Sequence, residues 1–107
     1  MRVDLNQLEF IHQALRNILI ELEAYTGFDF TITSLYRIGD RGVHGQLPLR
    51  GTDLRMRDKT TGQAIQKIIN DRWAYDPARP DMECAILHGN GSNLHLHVQI
   101  HHNTERK

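Results

Sequence analysis

Between Asn93 and His101 polar and apolar residues alternate without a break. Successive strand side chains point to opposite faces. The pattern therefore predicts a strand with Leu94, Leu96, Val98 and Ile100 on one face and His95, His97, Gln99 and His101 on the other. Residues 28–36 alternate in the same way, with Phe28, Phe30 and Ile32 against Asp29, Thr31 and Thr33. Arg37 continues the parity of Thr31 and Thr33, opposite the aromatic face. A third run, 53–57, sets Asp53, Arg55 and Arg57 against Leu54 and Met56. The short apolar stretch 85–88 predicts a fourth strand, and Gly89-Asn90-Gly91 signals a hairpin leading into the histidine strand.

Helical periodicity governs two other segments. Leu5, Leu8, Ile11, Leu15, Ile18, Leu19 and Leu22 recur at three- and four-residue steps, which predicts a helix over 4–25. Asp4 is its expected N-cap, with Gln7 three residues on, and Thr26-Gly27 is its stop. The apolar stripe reads as ordinary core. Ala64, Ile65, Ile68, Ile69 and Trp73 predict a second helix over 60–75, opened by a Thr60–Gln63 capping box. The order helix, strand, strand, helix, strand, strand predicts one α+β domain over 1–107. Its expected form is a small, mainly antiparallel sheet with the N-terminal helix and one further helix packed on it. The connection 38–52 is long for a compact domain, is punctuated by Gly39, Gly42, Gly45, Pro48 and Gly51, and carries His44. Loops of that length are more often functional than idle.

Composition narrows the classes. A chain of 107 residues supports one modest core. Its 13 cationic and 13 anionic side chains cancel, which argues against a broad nucleic-acid footprint. Cys84 is the single cysteine, so the fold holds without an internal disulfide, and its apolar surroundings predict burial. Asp4, Glu9 and His12 interrupt the N-terminal apolar residues, unlike a secretory leader, and no apolar run is long enough to span a bilayer. The expectation is a monomer made in a reducing cytoplasm, without membrane or nucleic-acid partners. His101-His102 reads as part of a solvated tail.

His44, Asp53 and His97 are the candidate chemistry. Two histidines and one carboxylate recur as the protein ligands of catalytic zinc, with a fourth position left for water. Each residue also has an ordinary role open to it: Asp53 as a turn cap or an arginine partner, His44 as a solvated loop residue, His95 and His97 on the wet face of a sheet.

The segments Ile32-Thr-Ser-Leu-Tyr-Arg37, Val43-His44-Gly45, Leu49-Arg-Gly-Thr-Asp53-Leu-Arg55 and His95-Leu-His97-Val98 occur in that order. Together they resemble the zinc D-alanyl-D-alanine carboxypeptidases and phage peptidoglycan endopeptidases, whose fold is shared with the Hedgehog signalling domain. The resemblance covers residues 30–100. It implies a Zn2+-dependent peptidase acting on a peptidoglycan stem peptide, with action at the cell wall after release. It implies His44, Asp53 and His97 as zinc ligands. Arg37 matches the arginine that contacts substrate or stabilises the developing oxyanion, a role suited to a fixed cation. His95 matches a residue positioned to hydrogen-bond substrate or the zinc-bound water.

Two departures carry structural consequences. Eight residues, Gly45 to Thr52, separate His44 from Asp53, more than the family usually has, so Gln46-Leu-Pro-Leu49 is expected to bulge. The positions ahead of the last ligand, where the family carries an acid or a histidine, read Ser92, Asn93 and Leu94. The base is left open: His88, across the glycine turn, is one candidate and Glu83 a weaker one. A peptide-binding module that keeps zinc without turnover is the first alternative. His95-x-His97-x-Gln99 is also similar to the strand of the histidine-triad nucleotide hydrolases and transferases, a reading that leaves His44, Asp53 and Arg37 without a role. A two-histidine-one-carboxylate iron oxygenase ranks last, because it usually needs His-x-Asp on one strand of a many-stranded barrel.

Overall fold

A computed structural model describes residues 11–34, 41 and 48–107. Helix α1 (Gln13–Thr26) stops where its sequence signal stands. Gly27 takes the left-handed conformation, φ 69°, and its N–H donates to the Glu23 carbonyl. The helix starts later than periodicity suggests. His12 is the N-cap, its Nδ1 accepting from the Ala14 N–H at 3.1 Å. Ile11, although in helical spacing, is extended: it forms a parallel bridge with Leu49, and the His12 N–H donates to the Leu49 carbonyl at 2.9 Å. The expected residues 4–10 of this helix lie outside the described residues.

Helix α2 (Lys59–Arg72) is opened by Asp58 rather than by the Thr60–Gln63 box. Asp58 accepts from the Thr61 N–H at 2.7 Å and from the Thr61 hydroxyl at 3.0 Å. A carboxylate there also complements the positive end of the helix dipole. The helix ends before Trp73, because Trp73–Ala74 is a short strand, β3, paired with Glu105–Arg106, β6. Residues 101–107 are therefore docked rather than free in solvent. The Thr104 hydroxyl donates to the Tyr75 carbonyl at 2.7 Å, and the Lys107 N–H donates to the Arg72 carbonyl at 2.9 Å.

The main sheet contains β1 (Ile32–Ser34), β2 (Gly51–Arg55), β4 (Ala85–His88) and β5 (His95–Gln99), in the order β1-β2-β5-β4, with every neighbouring pair antiparallel. This is the α+β architecture that the alternating patterns imply. Leu54, Met56, Ala85, Leu94, Leu96, Val98 and Ile100 are buried in one cluster with Leu15, Ile18, Leu19 and Leu22 of α1 and Ile65 and Ile69 of α2. The helices thus cover one side of the sheet, and burial of these side chains is the main stabilising contribution. Gly62 allows α2 to lie close to β4, since a Cβ there would press on the Leu87 and Met56 side chains.

β1 is shorter than expected. Phe28 lies outside it and is 50% exposed, while Phe30 is buried. Ile32 pairs with Leu54, but Ser34 pairs with Asp53, so the register shifts around Thr33. That irregularity ends the simple alternation from which the parity of Arg37 was read, and Arg37 itself lies outside the described residues. Among the described residues no helix is long and apolar enough to cross a membrane.

Candidate metal centre

The sheet face opposite the helices carries the polar members of each alternating strand. Antiparallel register sets Asp53 of β2 directly against His97 of β5, and His97 against Ile86 of β4. The next row is Arg55, His95 and His88. Three histidines and one carboxylate separated by up to 44 positions thus share one patch, because residues directly opposite in a ladder share a face.

His97 Nδ1 lies 2.9 Å from Asp53 Oδ1, and both side chains are largely shielded, at 17% and 9% exposure. The other ring nitrogen, Nε2, faces Gln99 Oε1 at 3.3 Å. Gln99 is oriented by its own amide, whose NH2 donates to the Glu83 carbonyl at 3.0 Å. The Gln99 oxygen therefore points at His97, and the ring can donate from Nε2 to Gln99 or from Nδ1 to Asp53. A neutral ring with its proton on Nε2 would leave the Nδ1 lone pair facing a carboxylate oxygen. In that tautomer the two acceptors at 2.9 Å would repel unless a cation stood between them.

A carboxylate oxygen and an imidazole nitrogen are donors of the kind zinc takes. With ordinary Zn–N and Zn–O lengths and a tetrahedral angle, the two donor atoms would stand about 3.4 Å apart. The side chains need to open by roughly half an ångström to reach that spacing. Were His97 to hold a metal through Nδ1, Gln99 would stand where the outer hydrogen-bond partner of a metal-bound histidine stands. Among the described residues no group of three or more His, Cys, Asp or Glu side chains is arranged to hold a metal ion. His44, the expected third ligand, lies outside the described residues, as does the expected bulge at 46–47.

His95 is two residues from His97 on the same face. Its Nδ1 lies 2.9 Å from the Asn93 carbonyl, so Nδ1–H is the donor and Nε2 carries the lone pair in the neutral ring. His88 joins the same patch, with ring centroids 5.7 Å from His95 and 6.3 Å from His97. Glu83 does not join it, because its carboxylate accepts from the Asn70 side-chain NH2 of α2 at 3.2 Å. His101 is also separate: it packs on Tyr75, at 5.7 Å between centroids, and lies 3.8 Å from an Asp76 carboxylate oxygen. Cys84 is fully buried, and burial pushes its thiol up to about 12, which rules out nucleophilic use at neutral pH.

Three contributors escaped the sequence reading: Gln99 as the group that selects the His97 tautomer, the Asn93 backbone carbonyl that does the same for His95, and Arg55 opposite His95. Alternation placed Gln99 and Arg55 on the polar face, but their partners depend on cross-strand register. Comparison with protein-family models, with curated proteins and with solved structures returned no match to this chain.

Proposed function

We propose that this protein is a zinc-dependent peptidase that hydrolyses a peptide bond in peptidoglycan stem peptides. The observation that supports this reading is the Asp53–His97 pair, a carboxylate oxygen and an imidazole nitrogen of the kind zinc takes, 2.9 Å apart across β2 and β5. His44, Asp53 and His97 would hold the zinc. A zinc ion there would supply Lewis-acid polarisation of a carbonyl and would lower the pKa of water.

The remaining chemistry belongs to this chain. His95 Nε2 is the proton acceptor for the attacking water and the donor to the leaving amine, and the Asn93 carbonyl keeps its ring in the required tautomer. His88, beside it, is the neighbouring imidazole that relays a proton to solvent. Arg37 contacts the substrate carbonyl as negative charge develops.

The test begins with metal. Purified protein should hold about one zinc per chain, and His44→Ala should abolish it while the circular dichroism spectrum is unchanged. Incubation with purified sacculi and with a D-Ala-terminated peptide should then release new amines. A metal-free protein of unchanged fold overturns the reading. Full zinc occupancy without amine release would make the domain a peptide-binding module instead.

A further inference from the structure

Arg55 stands two positions along β2 from Asp53 and directly opposite His95. Residues at i and i+2 share a strand face, so its side chain rises from the same face as the Asp53–His97 pair. Other arginines of the domain hold carboxylates: Arg72 and Arg106 hold Glu21, and Arg79 holds Asp76. The exposed Arg55 guanidinium has no hydrogen-bond or ion-pair partner among the described residues. It lines a cavity of about 330 Å³ together with Thr33, Ser34, Asp53, Asn93 and His95.

A planar guanidinium in a cleft walled by hydroxyl and amide groups recognises planar anions through paired N–H donors. The Asp53 carboxylate in the same wall disfavours a doubly charged phosphate and leaves a singly charged carboxylate as the better match. An i to i+2 step spans about 7 Å, roughly two residues of an extended chain. We propose that Arg55 anchors a substrate carboxylate next to the scissile bond and so sets the substrate class. This rests on the Asp53–His97 pair being the reacting centre. The carboxylate can be a peptide C-terminus or an acidic side chain beside the cleaved bond, and the two sources are separable.

The experiment is calorimetric titration of the full chain, zinc-loaded and zinc-free, with three probes. These are N-acetyl-D-alanyl-D-alanine, its C-terminal amide, and N-acetyl-alanyl-glutamate amidated at its α-carboxyl. At least one of the two acids should bind roughly 10- to 100-fold more tightly than the neutral amide. Binding by the first acid alone assigns a C-terminus, and binding by the third probe assigns a side chain. Arg55→Gln should abolish the preference, Arg55→Lys should retain part of it, and Arg57→Gln, which removes a charge outside this cavity, should leave it intact. Equal binding of acids and amide by the natural protein, no binding of any probe at millimolar concentration, or a preference that survives Arg55→Gln overturns the proposal. Failure of the metal reading shows separately, as absent zinc with an Arg55-dependent preference intact.

Discussion

Gln99 Oε1 faces His97 Nε2 at 3.3 Å, and the same Gln99 side chain donates its NH2 to the backbone carbonyl of Glu83 on the neighbouring strand connection. Held by the Glu83 carbonyl, the amide presents its oxygen to the imidazole and so favours a proton on His97 Nε2.

Replacing Gln99 with Leu removes that selection and allows the His97 Nδ1–H tautomer, which donates to Asp53 instead of binding metal. Zinc affinity should fall roughly 10- to 100-fold, as for other outer partners of metal-bound histidine. Competition against a chromophoric chelator measures it, alongside a urea melt to show that the fold persists. An affinity within twofold of the natural protein would contradict the role given to Gln99.

The turn that delivers β5 depends on Gly89. Its φ is +86°, and a Cβ would fall on the Asn93 carbonyl oxygen, the backbone immediately before Leu94 and His95. Gly89→Ala should destabilise the domain by about 1–3 kcal/mol and lower zinc affinity with it. Gly91, at φ +54° with open space around its Cβ position, is the comparison. Gly91→Ala incurs only the backbone strain and should be the milder of the two in chemical denaturation.

His12 couples the start of α1 to acidity. Burial, then the nearby His102 and Arg50 charges, hold its imidazole below the ordinary value of 6.5. The unfolded chain therefore takes up this proton first as pH falls, and protonation also removes the acceptor that caps Ala14. Stability contributed by His12 is present above pH 6.5, declines as pH drops through 6.5, and levels off below the folded-state value. His12→Asn keeps an N-cap oxygen and removes the titration. Its urea midpoint should decline less between pH 7 and 5 than that of the natural protein; parallel declines would refute the coupling.

Cys84 reports on opening of the core. Its side chain is fully buried and its thiol is raised to about 12, so a disulfide reagent at pH 8 should label it only through unfolding. The labelling rate should rise in step with the unfolded fraction as urea is added. Rapid stoichiometric labelling of the native protein would show that this end of β4 opens locally.

Much of the framework was legible in the chain. The alternation in 93–101 and 53–57 placed Leu54, Met56, Leu96 and Val98 on the core faces of their strands, with Asp53 and Arg55, and His95 and His97, on the opposite faces, because strand periodicity alone decides which face a residue joins. Gly27 marked the end of α1 because few other residues accept its left-handed conformation. Element ends were less legible. Ile11 has helical spacing but pairs with Leu49, and Trp73 has it too but pairs with Arg106, since a distant strand partner can outweigh local periodicity.

The sequence by itself determined which residue types could meet: histidines and a carboxylate on polar strand faces, with an apolar side to bury. Only the tertiary structure decided which of them do. Asp53 and His97 are 44 positions apart, and a shift of one residue between β2 and β5 would have turned their side chains to opposite faces. The same register put Arg55 against His95, and Gln99 within reach of the Glu83 carbonyl that turns its amide oxygen toward His97. Periodicity is local and chooses a face, whereas register is a long-range choice made by packing, and it is register that brings the Asp53 carboxylate and the His97 imidazole within 2.9 Å.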